Sequence, residues 1–269
     1  MKKRLCVLGF TLGIMAVSCV LLFGQASSSS AHQLYGQTQA RHTTHLQERV
    51  DSAFYRSVRT RNARNLRHLI DSLEEQYHQT HQRIWAYWVA YATYELSIYE
   101  MVNDSHQRAK RSILTAIRCL DTLDDKNAEE WALLSVMTGY SITFRWWAAS
   151  WLGPRAIDYA EKAVALDSQN IRAWYALLVN DFYTPALFGG GKMVDYYGRR
   201  ALRCPDQVLP NPYLPSWGRA ETYDLLIRWH LRQKRTNRAQ ELFEEASCQV
   251  GPHPLLTRLQ REYSTILSK

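Results

Sequence analysis

Apolar residues recur at intervals of three and four along the chain from about residue 46 onward. Leu66, Leu69, Ile70 and Leu73 follow this spacing, and it returns over Trp85–Ala92. Such spacing places the apolar side chains on one face of an α-helix. No segment shows the alternation typical of a β-strand, and most of the eight prolines and twelve glycines fall at predicted turns. The pattern predicts an all-α chain of about ten helices.

Four of the predicted helices share a pair of small residues seven positions apart. The pairs are Ala109 and Ala116, Ala156 and Ala163, Val194 and Ala201, and Ala239 and Ala246. Seven residues return to nearly the same face of a helix. Each pair therefore predicts a narrow strip against which a neighbouring helix packs closely.

One of these pairs belongs to a longer motif. Between Ala156 and Leu178 the chain combines the small pair, a turn and the aromatic residue Trp174. This resembles the tetratricopeptide repeat, in which such features recur about every 34 residues, and Ala239–Pro254 is similar. The resemblance implies a helical-hairpin superhelix over residues 46–269 whose concave surface binds a partner.

Two narrower resemblances concern the middle of the chain. Gly153–Ala156, Leu166–Ala173 and Tyr183–Gly191 are similar to secreted repeat proteins of Bacteroidetes-type bacteria, over about residues 80–205. The Phe-Gly-Gly turn that begins at Phe188 also resembles the periplasmic T component of TRAP-type transport systems, a helical repeat lipoprotein thought to associate with a solute-binding protein. The first resemblance implies a fold and a compartment, and the second implies an accessory role in transport.

The small pairs are spaced irregularly, which indicates insertions. Their first residues are 47, 38 and 45 positions apart, each more than the usual repeat length of about 34. Insertions in repeat arrays form loops, often on the binding face. The first insertion holds Trp146, Trp147 and Trp151, which either grip a partner or fill the groove between repeats.

The second insertion contains Phe188 and the glycines Gly189, Gly190 and Gly191. Three glycines before a helix form either an anion-binding nest of backbone N–H groups or a tight turn with Phe188 between the helices. The third, Cys204–Trp217, carries four prolines and predicts an extended connector, with Ser216 as the cap of the next helix.

The concave surface is predicted from the resemblance by taking Trp174 as the usual aromatic position. Arg172 and Tyr175 then face inward, and Phe182 extends the same face. Because Arg172 is the only basic residue among them, a clamp for peptide carboxylates is not expected. The predicted contacts are these three residues together with the three tryptophans.

The N-terminus predicts export. Basic residues precede an apolar run from Leu5 to Phe23, and Gly24 and Ala26 fit a signal-peptidase site. We expect a signal peptide at 1–26, a flexible polar tether at 27–45, and a periplasmic or secreted protein. The alternatives are a lipoprotein lipidated at Cys19 and an uncleaved membrane anchor.

The net charge and the spacing of the cysteines limit the classes of partner that we expect. Loss of residues 1–26 lowers the formal charge from +8 to +5, which argues against nucleic acid as a partner. One segment nevertheless carries several arginines, either as a solvated face or for contact with anionic lipid or an acidic partner: Arg56, Arg59, Arg61, Arg64 and Arg67. Cys119, Cys204 and Cys248 show no metal-like spacing and are interpreted as packing residues, with one disulfide and a free thiol as the alternative.

Catalytic and cofactor motifs of the metalloprotease, hydrolase, nucleotide-binding and zinc types do not occur in the sequence. We therefore predict a non-enzymatic scaffold without cofactor or metal that binds a protein or peptide. A small-molecule ligand is an alternative to the protein or peptide partner. Membrane contact is expected only through an uncleaved signal or a lipid anchor. The alternative function is an accessory solute-binding subunit of a periplasmic transport system.

Overall fold

The computed structural model describes residues 45–207 and 211–267, which form eleven α-helices and no strand. The helices are α1 (Leu46–Thr60), α2 (Arg64–Thr80), α3 (Arg83–Val102), α4 (His106–Asp121), α5 (Ala128–Ser141), α6 (Ala149–Leu166), α7 (Ile171–Tyr183), α8 (Val194–Leu202), α9 (Arg219–Arg232), α10 (Thr236–Val250) and α11 (Pro254–Leu267). The predicted all-α fold is confirmed. The predicted signal peptide and nearly all of the predicted tether lie outside the described residues.

The helices pack as successive hairpins in two layers. Each odd-numbered helix pairs with the even-numbered helix that follows it, from α1 with α2 to α9 with α10. Each odd-numbered helix also contacts the next odd-numbered helix. The odd-numbered helices therefore form an inner layer and the even-numbered helices an outer layer, the arrangement of a helical-hairpin repeat fold.

The small-residue pairs hold the outer layer against the inner one. All eight residues of the four pairs lie in α4, α6, α8 and α10, and each is 0% exposed. The predicted strips of close approach are confirmed. At the start of α2, Ala63 and Ile70 are also buried and seven apart, but the bulk of isoleucine hides this pair from a search for small residues.

The inner helices α3, α5 and α7 are covered on both sides. Trp88, Leu133 and Leu178 are fully buried in them, and their charged residues are confined to the first or last turn with one exception. The exception is Glu95, in the middle of α3. A carboxylate in an otherwise apolar helix interior is costly unless it has a partner or a role.

The connector between α8 and α9 crosses the inner layer. Within it, the backbone oxygen of Pro212 accepts a hydrogen bond from Leu46 N (2.9 Å), and that of Tyr213 accepts one from Trp88 Nε1 (2.7 Å). Ser216 does not cap α9 as expected, since the N-cap residue is Gly218. The N–H of Ser216 donates instead to Gln47 Oε1 (3.4 Å). The connector is thus a brace between distant helices.

None of the helices within 45–207 and 211–267 combines the length and the apolar character needed to cross a bilayer.

Candidate functional site

The inner face of the helical layer is rich in tyrosine. Tyr94 of α3 packs edge-on against Tyr140 of α5 with ring centroids 5.5 Å apart. Tyr175 of α7 contacts Trp217 of the connector (5.5 Å), and the same indole stacks on Tyr91 of α3 (5.7 Å). These contacts join α3 to α5 and, through the buried Trp217, α3 to α7 and the connector.

The connector closes one end of this surface. Trp217 is 8% exposed, and its Nε1 donates to Tyr87 Oη at 2.8 Å. At the opposite end, where the odd-numbered helices finish, Tyr183 of α7 is 43% exposed and Arg232 of α9 is also exposed. The inner face is therefore blocked at one end and open at the other.

The two ends of the array also meet across the inner face. Tyr55 of α1 lies against His253, just before α11, with ring centroids 6.4 Å apart. Burial lowers the pKa of His253, so its ring is neutral at pH 7. The inner face is consequently walled by α1 as well as by α9 and α11.

Three carboxylates, Asp51, Glu95 and Glu221, line this enclosed face. Each is partly exposed, yet protein surrounds them closely. Burial, followed by repulsion from Glu221, raises the pKa of Asp51 to about 7, even though Gln47 Nε2 donates a hydrogen bond to it at 2.9 Å. Burial, then repulsion from Asp51 and Glu221, raises the pKa of Glu95 well above its usual range. The described residues therefore place too little positive charge at this site to keep the three carboxylates fully ionised.

Glu95 has no hydrogen-bond or ion-pair partner within the described part of the chain, whereas its two neighbours do. Gln47 satisfies Asp51, and the Glu221 carboxylate accepts the Gly218 N–H at 2.7 Å at the start of α9. Burial also raises the pKa of Tyr94 and Tyr175 well above the ordinary value. Their hydroxyls stay protonated and can donate or accept at this face.

The α9 and α11 side of the inner face is internally neutralised. Asp224 pairs with Arg228 (3.0 Å) and Arg258 (2.9 Å), and Arg228 also pairs with Glu262 (2.9 Å). These arginines are thus held by carboxylates of their own, and they do not supply the positive charge that would keep Asp51 and Glu95 ionised. A cation entering from the open end would favour the ionised form of both carboxyls.

Arg172 does not belong to this surface. It is 4% exposed, and its guanidinium donates to Glu129 Oε1 (2.6 Å) and to the backbone oxygens of Asp206 (2.9 Å) and Trp217 (2.8 Å). Its position near the start of α7 places it at the closed end. Its geometry is that of a structural tie between α5, α7 and the connector.

The other two inward-facing residues that were predicted, Tyr175 and Phe182, lie in different environments. Tyr175 lies on the inner face, as expected. Phe182 is 4% exposed and packs between Trp229 and the guanidinium of Arg232, whose carbon lies 4.0 Å from the ring centroid. It can therefore support the open end of the face but offers little surface to a partner.

The three predicted tryptophans lie on the surface, in and just after the turn between α5 and α6. Trp146, Trp147 and Trp151 are 59%, 61% and 51% exposed, and the first two rings meet at 6.2 Å. They do not fill the groove between repeats. The structure brings Trp146 and Trp147 into contact with each other, and it places all three away from Tyr175, because the turn projects from the edge of the array.

The glycine turn is satisfied internally. Gly189, Gly190 and Gly191 donate their N–H groups to the backbone oxygens of Ala186, Pro185 and Asp181. No nest of free donors is left, so the tight-turn interpretation is correct and the anion-nest alternative is wrong. The accompanying expectation that Phe188 fills a gap is also wrong, since its side chain is 75% exposed.

The three cysteines that the structure describes, Cys119, Cys204 and Cys248, are free thiols, which leaves the packing interpretation. Cys204 is buried and Cys119 is partly buried, but Cys248 is exposed and does not pack as expected. Among the residues that the structure describes, no group of three or more His, Cys, Asp or Glu side chains could hold a metal ion.

The carboxylate and tyrosine site was missed by sequence reasoning, which followed the insertions. A usable signal existed in Tyr87, Tyr91, Tyr94 and Glu95, a tyrosine ladder with a single acid in an apolar helix. The fold and this surface define a helical-hairpin repeat protein with an enclosed, acidic inner face. The chain matches no protein-family model, no curated protein and no solved structure.

Proposed function

We propose that the protein is a non-enzymatic interaction module whose inner face receives a cationic group of its partner, a lysine or arginine side chain on a protein or peptide. The observation that carries the proposal is Glu95, a carboxylate without a partner on a tyrosine-lined face. A cation there would lower the pKa of Glu95 and relieve its repulsion from Asp51. Tyrosine rings would add cation–π attraction.

The unfavourable ionisation supports a binding role over a structural one. A carboxylate that serves only the fold is normally paired, since a lone one destabilises the folded state. Glu95 and Asp51 instead repel each other and Glu221 in the described structure. Sites of this kind are stabilised by the ligand that supplies the missing charge.

The compartment is part of the same proposal. The basic residues and apolar run at 1–26 support export to the periplasm or the exterior.

The alternative, an accessory solute-binding subunit, is favoured by the closure of the inner face. The connector blocks one end, and Tyr55 against His253 narrows the span between α1 and α11. A small organic cation would suit such a space, and the carboxylates would bind it by the same charge complementarity.

Native mass spectrometry of the protein purified gently from its own cells tests both possibilities. The variants are Glu95→Gln, which keeps the shape and removes the charge, and Glu161→Gln on the outer helix α6 as a matched control. A second polypeptide that is lost in Glu95→Gln and kept in the control supports the interaction module. A small added mass on a lone chain, with the same dependence, supports the solute-binding alternative. A partner retained equally by both variants contradicts the proposed site.

A further inference from the structure

One edge of the repeat array differs from the rest of the surface. It is formed by the five turns that join each odd-numbered helix to the next even-numbered helix, with the flanking helix ends, and is called the turn edge here. Contacts link adjacent turns along it. Lys110 Nζ at the start of α4 lies 5.3 Å from the Trp147 ring, and Asp195 of α8 pairs with His230 (2.9 Å) and Arg235 (3.5 Å) near the following turn.

Exposed apolar side chains concentrate on the turn edge. Of the eleven large hydrophobic side chains exposed in the described residues, seven lie in its two central turns or the adjoining helix ends: Trp146, Trp147, Trp151, Tyr183, Leu187, Phe188 and Met193. Leu187 and Phe188 protrude most, at 89% and 75% exposed. Clustered exposed apolar residues mark an interaction site.

Basic side chains flank this apolar centre. At the α1 end lie Arg56, Arg59, Arg61 and Arg64, all exposed and without an ion pair to any described residue. No acidic residue occurs from 52 to 70. The positive charge at this end is therefore not neutralised locally.

The α9 end of the edge is similar. Arg232, Lys234 and Arg235 are exposed there. Few acids accompany the edge, and Asp195 already forms an ion pair with Arg235 and lies 2.9 Å from the His230 imidazole, whose pKa burial lowers. Asp104 is exposed in the α3–α4 turn, and Asp181 accepts the Met193 N–H at 2.8 Å. The edge thus has an apolar middle between two basic ends.

The opposite edge has the reverse character. Its α4–α5 turn carries the exposed Asp121, Asp124 and Asp125, and the following Glu129 and Glu130 are already paired with Arg172 and Arg83. The two large hydrophobic side chains exposed there in the described residues, Leu166 and Tyr213, lie in separate turns. The exposed apolar side chains are therefore concentrated on the turn edge.

We infer that the turn edge docks on the surface of a bilayer that contains anionic lipid. Tryptophan and other apolar side chains on protruding turns suit the boundary between headgroups and acyl chains. Lysine and arginine beside them are attracted to anionic headgroups. The apolar residues project from turn tips and form no groove, which suits insertion into lipid better than a rigid protein partner. The turn edge borders the open end of the inner face, where Tyr183 and Arg232 lie, but the inference does not depend on the proposed function.

Sedimentation of the full chain with vesicles tests the inference. The vesicles contain either phosphatidylcholine alone or phosphatidylcholine with phosphatidylglycerol. We expect binding to the mixed vesicles at least about tenfold tighter than to the neutral ones. Binding should also place brominated acyl chains close enough to quench tryptophan fluorescence.

Matched variants locate the contact. Leu187→Ser with Phe188→Ser should weaken binding about tenfold or more, whereas Leu166→Ser on the opposite edge, where the side chain is 60% exposed, should not. Arg59→Gln with Arg64→Gln should weaken binding by roughly ten- to thirtyfold at about fivefold per cation. Arg118→Gln with Arg203→Gln removes two exposed charges near the opposite edge as its control.

All of these side chains are exposed, so the variants should keep the circular dichroism of the parent. The inference is overturned if the folded parent chain binds neither vesicle. It is also overturned if the opposite-edge controls weaken binding as much as the turn-edge variants. A turn edge that binds no vesicle but is covered by a protein in the complexes seen by native mass spectrometry would be a protein interface instead.

Discussion

Replacing Asp51 by asparagine should make the protein more stable at pH 8. Burial, with repulsion from Glu221, raises the pKa of this carboxyl from 3.8 to about 7. The folded state therefore holds the proton more tightly than the unfolded state, and the stability of the wild type falls as the pH rises from about 4 to about 7. Asparagine copies the protonated form and keeps an oxygen that can accept the hydrogen bond from Gln47 Nε2.

The size of the effect follows from the shift. A rise of about three in the pKa of Asp51, at 1.36 kcal/mol per pKa unit, sets an upper bound of roughly 4 kcal/mol on the gain in the free energy of unfolding. Asp51 is partly exposed, and water screens part of the repulsion, so we expect a gain of about 1–3 kcal/mol in the free energy of unfolding at pH 8. The gain should shrink as the pH falls and vanish near pH 4.

Urea denaturation followed by circular dichroism at pH 8, 6 and 4 measures this difference. Glu161→Gln on the outer helix α6 serves as the control and should change the unfolding midpoint little at any pH. The reasoning is refuted if Asp51→Asn lowers stability at pH 8. It is equally refuted if the variant raises stability by the same amount at all three pH values, because the gain would then not come from ionisation.

Three further predictions concern the fold and its edge. Arg172→Met should lower the free energy of unfolding by about 3 kcal/mol or more, measured by urea denaturation, because it leaves a carboxylate and two connector carbonyls without their buried donor; a loss below about 1 kcal/mol would contradict the structural role. Gly191→Ala should destabilise by about 1–3 kcal/mol, since φ is +80° and a Cβ there would lie 2.7 Å from a tryptophan ring. Gly153→Ala is its control and should stabilise by about 0.5–1 kcal/mol, because this helical position has nothing within 4 Å; the same sign for both would be inconsistent with the turn geometry. Trp146→Ala with Trp147→Ala should change the thermal midpoint by only a few degrees, as both rings are more than half exposed; unfolding of this variant would mean that the rings belong to the core.

Local patterns were sufficient to predict the helices and their packing strips. The heptad pairs such as Ala156 and Ala163 work because a helix repeats its face within seven residues, so the information lies in one segment. The same reasoning correctly placed the turn at Gly189–Gly191, whose backbone requirements are local. It failed for Phe188, since whether a side chain beside a turn is covered depends on helices far away in sequence.

The candidate site was beyond such reasoning for a related reason. Arg172 looked like a surface contact by its place in the repeat, but Trp217, 45 positions further on, brings the connector over it. Glu95 looked like one acid among many, and its significance comes from Asp51 and Glu221, on helices at opposite ends of the chain. The carboxylates repel one another only once the helices that carry them have packed into the array.

By itself, the sequence determined an all-α chain of hairpins, the strips along which they pack and the segments that form turns, because each of these depends on residues within one or two helical turns. Only the tertiary structure decided that the inner face is closed at one end, that three carboxylates meet on it, and that the exposed tryptophans share an edge with basic turns. Those features arise from contacts such as Trp217 with Tyr87, separated by 130 positions. Contacts of that range leave no periodic trace in a single sequence.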